Sequence, residues 1–514
     1  MRRKLAHKRR IDKLEEERDH LQQIVEALRD SSDDKALQLL NLIRSQVPLA
    51  EVQLYIQHRM TEQDCRQSPI WSEVSDRSDS HGPSLRHALS IQRLVDTPLF
   101  RIPAKPWTSV TESDDFVSHL VSIWLTWSQP LYNWVDRDLF LRDAQAGKMD
   151  SPFCSPFLMN CILTEACFYS DYPEAYADPT DRNSKGLHFY EEAQRWYTKV
   201  EGQLDLPTLQ GCGLLVTCKA VFGKDRAAWW HLNLLRSLAA DYTETYPLPA
   251  TETLESRADN YAIWGIYNLT ATASICLMKH LALAPPDRPR PPCNHNPDDT
   301  WVPYPHRASP VQSHISCVFN GFCELSTIAI HATSLVFGSE PKPSPEDLTH
   351  ILKEVRTRLD QWRDNLPECL IVENITVPHA LTLHMFYNTT IMTLWGLLQE
   401  TDSTTAHAAR EIRLEAAESF VQLLRIHRAK WGIDYISIPT ITCLITTLFT
   451  LLDDLDNPNY KSAFTELCVI ARAIYRKWAP MKGLMRMLQT STQKNAVSLP
   501  PEIHTLFVDF EVTI

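Results

Sequence analysis

The stretch SDDFVSHLVSIWLTWS, residues 113–128, shows how this chain folds. Ser113 is suited to the start of a helix, because its hydroxyl can accept hydrogen bonds from backbone N–H groups of the first turn. Asp114 and Asp115 follow at the positive end of the helix dipole, where carboxylates are stabilised. The apolar residues behind them do not alternate as those of a half-buried strand would. The stretch therefore predicts a helix.

Similar patterns, separated by loops that contain proline, continue to about residue 480. No alternating strand ladder and no fixed-period repeat is visible. Glycine is scarce, with 13 in 514 residues, against a usual share of about 7%. We therefore predict an all-α fold with a short N-terminal coiled-coil helix, a disordered linker and a large multi-helix body. The predicted helices of the body are 114–128, 137–146, 155–170, 185–202, 206–221, 226–242, 253–280, 311–335, 345–365, 378–400, 404–430, 439–454 and 459–478.

Two segments leave alternatives open. Residues 285–310 carry several prolines and no helical pattern, so a body divided into two at this segment is the alternative to a single one. The residues from Tyr435 to Leu452 are all uncharged, which is one feature of a membrane span. Because Pro439 interrupts it, we favour a buried core helix that begins near this proline.

The N-terminus is basic and the rest of the chain is acidic. Residues 1–13 hold seven Lys or Arg and one Asp, a charge of +6, whereas the remaining 44 basic and 62 acidic residues give −18. Only this arm can attract nucleic acid, although a solvated charge run is the alternative. The candidate residues for DNA phosphate contacts and nuclear import are Arg2, Arg3, Lys4, Lys8, Arg9 and Arg10.

A heptad pattern follows the arm directly. Leu14, Leu21 and Leu28 recur every seven residues, and companion positions lie between them. This spacing is typical of a coiled-coil dimer, and the alternative is an amphipathic helix docked on the body. The predicted dimer seam is Ile11, Leu14, Arg18, Leu21, Val25 and Leu28.

The organisation that these patterns predict has five parts. They are the arm and coiled coil at 1–30, a helical hairpin at 31–60, the linker at 61–112, the body at 113–480 and a C-terminal tail at 481–514.

The positions of the cysteines favour packed thiols over metal ligands or disulfides. None precedes Cys65, no C-x-x-C occurs, and there is no secretory segment, so a reducing compartment is expected. Three C-x5-C pairs lie in apolar stretches, where a thiol packs as a small hydrophobe. They are Cys161 with Cys167, Cys212 with Cys218, and Cys317 with Cys323. Cys293 and His295 share the proline segment, but two ligands fall short of a structural zinc site.

No sequence motif gives a strong indication of an enzyme. Asp453, Asp454 and Asn457 resemble the aspartate-rich motif of helical terpene cyclases, but Pro458 follows at once and a solvated helix end is favoured. Four histidines within helical patterns are expected to be packed or on the surface: His119, His188, His231 and His384. The tryptophans of the first half of the body are expected in the core, and a small-effector pocket among them is the alternative. They are Trp124, Trp127, Trp134, Trp196, Trp229, Trp230 and Trp264.

Several stretches together resemble one family. SHLVSIWLTWSQPLYNWVDRDLF (118–140), SPFLMNCILTEACFYS (155–170), LPTLQGCGLL (206–215) and FGKDRAAWWHLNLLRSLAADY (222–242) follow one another in the order and spacing of the fungal-specific transcription factor domain. This domain is the middle homology region of the fungal binuclear zinc-cluster regulators. The stretches IWGIYNL (263–269), WVPY (301–304) and PHALTLHMFYNTTI (378–391) are similar to the nitrate-assimilation-regulator-like subgroup.

The resemblance implies a nuclear, non-enzymatic regulator of RNA polymerase II genes. Its implied partners are a second copy or a related regulator, DNA and the transcription machinery, without a membrane. The family's six-cysteine zinc cluster is absent from this sequence, so zinc is expected only with such an N-terminal cluster and no other cofactor is implied. Either an upstream exon is missing, or the chain lacks the cluster and acts as a non-DNA-binding partner or repressor of a full-length relative. A helical enzyme is the remote alternative.

Overall fold

We describe the protein from a computed structural model. It describes residues 97–293, 298–305, 309–399, 401–475, 477–478, 480–494 and 499–500, with the single residues 24, 43 and 503. The predicted arm, dimer seam and helical hairpin, and most of the predicted linker, lie outside the described residues.

The chain divides into two compact units. The larger unit consists of Gln92–Leu451 with Lys477–Pro480, and the described helices of the smaller unit lie within Leu452–Arg476 and Met481–Ile514. The alternative of a body divided at residues 285–310 is not what the structure has, because this segment lies inside the larger unit.

The described residues form fifteen α-helices. In the larger unit these are α1 (Asp114–Trp127), α2 (Gln129–Tyr132), α3 (Arg137–Ala146), α4 (Pro156–Cys167), α5 (Leu187–Val200), α6 (Leu206–Val221), α7 (Asp225–Thr245), α8 (Leu254–Cys276), α9 (Ile315–Phe337), α10 (Pro345–Asp364), α11 (Pro378–Trp395), α12 (Ser403–Trp431) and α13 (Ile438–Leu451). The smaller unit has α14 (Pro458–Tyr475) and α15 (Met481–Lys494). Within the described part of the chain, the only paired strands are Thr300–Trp301 and Val311–Gln312, which run antiparallel. The predicted all-α fold is confirmed.

Side-chain caps fix where many of these helices begin. The hydroxyl of Ser113 accepts a hydrogen bond from the Phe116 N–H at 3.2 Å, as the opening stretch predicts. Ser155 does the same for α4, and Pro156 at the first helical position needs no hydrogen-bond partner for its nitrogen. Such caps satisfy donors that would otherwise have no partner inside the helix.

Two fully buried helices organise the larger unit. All twelve residues of α4 are buried, and this helix packs against α1, α5 and α6. All eighteen residues of α11 are buried, and it packs against α8, α9, α12 and α13. A helix that is buried on every face is stable only when other elements cover it and its polar side chains find partners. The core therefore has two centres, one in each half of the larger unit.

One described helix, α9, is long and apolar enough to cross a membrane. However, 72% of its most apolar window is buried inside the protein, and helices of protein cores meet the same criteria of length and composition. The earlier candidate segment, Tyr435 to Leu452, contains the 14-residue helix α13.

The structure differs from the sequence expectations at both ends of the predicted body. Residues 97–112 were expected in the linker, yet Ile102 and Trp107 are fully buried and the indole N–H of Trp107 donates to the Ala144 carbonyl at 2.8 Å. Residues 481–494 were expected in a tail, yet they form α15. Its buried residues Met481, Met485, Leu488 and Thr492 follow helical spacing, and this signal was present in the sequence.

Candidate functional site

The larger unit has a well-packed helical core around α2, in the connection between α1 and α3. In this turn Gln129 donates from Nε2 to the Val135 carbonyl at 2.5 Å. Gln210 of α6 donates to the Trp134 carbonyl at 2.9 Å. Asn133, directly before Trp134 in the chain, has a left-handed backbone with φ of 43°. Asn adopts this conformation more readily than most residues. The side-chain amides thus hold an irregular turn that the sequence pattern alone leaves undefined.

Trp134 lies between two helices that approach it through glycines. A Cβ placed on Gly213 of α6 would lie 3.1 Å from its indole ring. A Cβ on Gly265 of α8 would lie 2.4 Å from the Trp134 Cβ. Gly265 leaves no room for a larger residue, whereas a Cβ at Gly213 would require the Trp134 indole to shift by a few tenths of an ångström.

Asp136 ends this turn and begins α3. Its carboxylate accepts a hydrogen bond from the Leu139 N–H at 3.1 Å and one from Nη2 of Arg257 at 2.9 Å. The Asp136 side chain is only 6% exposed. A carboxylate removed from water needs such charged and backbone partners, so this pair joins α3 to the start of α8.

Glu165 of α4 is a buried acid within the same core. It accepts hydrogen bonds from the indole N–H of Trp124 at 3.2 Å and from the Ser128 hydroxyl at 2.5 Å. Burial raises its pKa, although these hydrogen bonds act in the opposite direction. These donors satisfy the buried acid, which indicates a packing role for this polar group.

The proline-rich segment between α8 and α9 folds back on α1. The indole N–H of Trp301 donates to the Thr126 carbonyl at 2.9 Å, and that of Trp127 donates to the Tyr304 carbonyl at 2.6 Å. The Tyr304 hydroxyl lies 2.8 Å from Nδ1 of His119. His119, expected as a packed histidine, is indeed buried within a polar network.

The remaining tryptophans and histidines singled out from the sequence have different environments. Trp124, Trp127, Trp134 and Trp264 are buried, whereas Trp230 is 68% exposed. His231 and His384 are buried and His188 is not. We find no described group of these residues arranged as a ligand set.

The residues that suggested an enzyme do not form a catalytic arrangement within the described chain. Asp453 and Asp454 lie in the 3-10 turn Leu452–Asp454, and Asn457 precedes α14, so no continuous helix carries all three.

Lys185 is buried and has a pKa lowered to about 8, first by burial. Its ammonium group lies over the Tyr176 ring at 5.2 Å and 3.5 Å from the Phe168 carbonyl.

One described group of side chains is close enough to hold a metal ion. Its members are His314, Cys317 and Cys369. Sequence reasoning assigned Cys317 to packing and missed the other two. The three residues are too far apart in the chain for a spacing rule to detect, and only the H-x2-C step at the start of a helix could have drawn attention to them.

Comparison with known proteins bears on what these helices belong to. Residues 121–242 match the Fungal specific transcription factor domain. Over 536 aligned residues the chain is 33% identical to the notoamide biosynthesis transcriptional activator of Aspergillus versicolor, covering 99% of this chain and 86% of that protein. The chain belongs to the fungal-specific transcription factor family. It is therefore a fungal transcriptional regulator, as the resemblance implied.

Two further members of this family are similar. The nitrogen assimilation transcription factor of Emericella nidulans is 26% identical over 78% of this chain and 47% of its own length. Its counterpart in Neurospora crassa is 22% identical over 78% of this chain and 39% of its own length. The chain thus spans less than half of either protein. No solved structure matches the chain.

The family domain match covers the core described above. It begins in α1 and ends in α7, so it includes Trp134, Asp136 and Glu165. Gly265, Trp301 and Tyr304 lie beyond its end and complete the packing around it. The structured regulatory region is accordingly larger than the matched domain, because helices outside it cover the family-matched core.

Proposed function

We propose that this regulator is a nuclear activator of a set of biosynthetic genes. The observation that carries the proposal is the 33% identity to a transcriptional activator of a biosynthesis, which extends over 99% of the chain. The two nitrogen assimilation factors support regulation as the activity and match less of their own length. The protein acts through binding, and no catalytic step belongs to the proposal.

A reporter assay tests the sign of this regulation. The full 514-residue chain is fused to a heterologous DNA-binding domain and expressed with a reporter that carries the matching sites. We expect transcription to rise above that given by the DNA-binding domain alone. A fall would support repression of a relative's targets instead, and an unchanged level would contradict activation.

We propose that the basic N-terminal residues contact DNA. Arg2, Arg3, Lys4, Lys8, Arg9 and Arg10 are available for phosphates. Phosphate contacts position a protein on DNA without reading its sequence. Six such contacts would give a slope near −5 for log affinity against log salt, at about 0.9 per phosphate. We propose weak, salt-sensitive and sequence-indifferent binding by this arm, with a second role in nuclear import.

We predict that Leu21→Lys converts a dimer into a monomer. Leu21 occupies the middle of the proposed seam, and an unpaired ammonium group buried there would cost several kcal/mol. Sedimentation equilibrium of the full chain measures the mass directly. Gln22→Lys is the matched control, because it adds the same charge beside the seam and should leave the dimer intact. An unchanged mass in Leu21→Lys would mean that the helix does not form this interface.

A further inference from the structure

Two cysteines and one histidine meet beside the start of α9, and a third cysteine lies next to them. The ligand atoms of His314, Cys317 and Cys369 all lie within 4.8 Å of one another. The Cys317 thiol also lies close enough to the thiols of Cys369 and Cys293 to interact with both. Cys293 lies at the end of the proline run, with its sulfur 4.0 Å from the Ser316 carbonyl. Three ligand atoms therefore converge on one position, and Cys293 lies beside Cys317 as a fourth candidate.

This spacing is close to that of a bound zinc ion. Zinc holds thiolate sulfur at about 2.3 Å and imidazole nitrogen at about 2.0 Å in a tetrahedron, which separates the ligand atoms by roughly 3.5–4 Å. The ligand atoms of His314, Cys317 and Cys369, within 4.8 Å of one another, need only small side-chain rotations to reach this range. Cys293 would complete the tetrahedron by turning its side chain towards them. Three cysteines and one histidine are also one of the usual ligand sets of structural zinc.

Backbone hydrogen bonds hold the histidine segment. Ser313 donates from its N–H to the Asp299 carbonyl at 2.9 Å, and its own carbonyl lies 2.7 Å from Nε2 of His379. His314 follows in a left-handed conformation with φ of 51° and ψ of 17°. A left-handed non-glycine residue is uncommon, although histidine is among the types that accept it. Such strain persists where the surrounding structure imposes it, and it is concentrated at functional sites.

The two outlying cysteines are also held in place. The Asn320 side chain of α9 donates to the Pro291 carbonyl at 2.7 Å, two residues before Cys293. The Leu370 carbonyl, next to Cys369, lies 2.7 Å from Nε2 of His384. Each ligand-bearing segment is thus attached independently to the same part of the core, as a preorganised metal site requires.

The electrostatic surroundings suit metal-bound thiolates. Cys317 is only 2% exposed and lies in the first turn of α9, where the helix dipole favours negative charge. Burial, followed by the neighbouring cysteines, raises the pKa of its thiol. A metal ion bound here would replace the thiol protons, because a coordinating thiol ionises outright.

We propose that Cys293, His314, Cys317 and Cys369 form a structural zinc site. It is separate from the six-cysteine cluster of the family, because all four proposed ligands lie between residues 293 and 369, within the larger unit. Zinc would join three segments that are distant in the chain: the end of the proline run, the start of α9 and the 3-10 turn Glu368–Leu370. Its effect is to stabilise the larger unit.

Elemental analysis tests the proposal on the full chain. The protein is expressed with added zinc chloride, purified under reducing conditions and dialysed. We expect about one zinc per chain, because a closed four-ligand site binds zinc tightly. Cys317→Ser and Cys369→Ser should lower the bound zinc at least tenfold. Cys323→Ser is the matched control, since Cys323 is a buried cysteine on the same helix and its sulfur accepts a hydrogen bond from the Asn268 amide, away from the proposed site. This variant should retain the zinc.

A second measurement covers variants that fail to fold. Wild-type protein is stripped with a chelator and titrated with cobalt chloride, and its visible spectrum should show tetrahedral thiolate coordination. Thermal unfolding should occur at a lower temperature after chelation and recover with zinc. Zinc far below one per chain, equal zinc in Cys317→Ser, or a Cys317–Cys369 disulfide in freshly purified protein would each overturn the proposal.

Discussion

Gly265→Val is expected to destabilise the larger unit by about 4 kcal/mol or more. Even the Cβ of an alanine at this position would lie 2.4 Å from the Trp134 Cβ, 3.1 Å from the Trp134 Cα and 3.3 Å from the Tyr132 carbonyl oxygen. Backbone atoms cannot move aside as a flexible side chain can, and Gln210 and Gln129 hold the same turn in place. Urea unfolding of the full chain measures the loss, and the reporter activity should fall with it.

Gly396→Ala is the matched control for this prediction. Gly396 lies at the end of α11 in the same unit, and a Cβ there would meet only the Arg413 side chain, at 3.7 Å or more. Its replacement should change the free energy of unfolding by no more than about 1 kcal/mol. Equal stability of Gly265→Val and the wild type would show that Trp134 does not pack against α8 as described.

Acid is expected to destabilise the protein through His427. This side chain is 2% exposed, and burial lowers its pKa to about 4, opposed by a hydrogen bond to the Gly432 carbonyl. A histidine in the unfolded chain titrates near 6.5. The unfolded state therefore binds the proton first as pH falls, and stability is lost between pH 6.5 and 4. The difference between the two pKa values corresponds to about 3 kcal/mol in the free energy of unfolding, at about 1.4 kcal/mol per pKa unit.

His427→Gln should remove this part of the acid sensitivity. The glutamine amide can still donate to the Gly432 carbonyl, but it does not titrate. We expect the variant to lose about 3 kcal/mol less than the wild type between pH 7 and pH 4, as measured by urea unfolding at each pH. His350→Gln, at a side chain that is 75% exposed on α10, should follow the wild type. Parallel profiles for wild type and His427→Gln would contradict the buried, neutral histidine.

Helices with clear caps and strong patterns could be predicted from the sequence. The prediction of 137–146 matches α3, and 404–430 differs from α12 by one residue at each end. The predicted start of α9 at 311 was wrong, because Val311 pairs in a strand and His314 has a left-handed backbone. These features depend on contacts with residues outside the local sequence, so a local pattern does not contain them.

The proline-rich segment shows a second limit of sequence reasoning. Its composition predicts an absence of helix, and the structure agrees for its described residues, 285–293, 298–305 and 309–310. Composition does not show that Trp301 and Tyr304 are buried against α1. Large aromatic side chains favour burial wherever the fold offers a surface. The segment is consequently part of the core and not an exposed connection.

The candidate metal site could not be predicted from the sequence for a related reason. Cys317 was placed with Cys323 because the two share one apolar stretch, whereas the thiols that interact with it belong to Cys293 and Cys369. Spacing rules detect ligands that lie on one turn or one hairpin. Ligands that come from three separate segments become visible only when the fold brings those segments together.

Chromatin occupancy tests the central claim, that this chain regulates a set of genes at DNA. The full-length protein is tagged at its own locus, and bound DNA is sequenced alongside transcripts from a deletion strain. We expect enrichment at the promoters of a limited set of biosynthetic genes, whose transcripts fall on deletion. No enrichment over an untagged strain, together with unchanged transcripts, would contradict it.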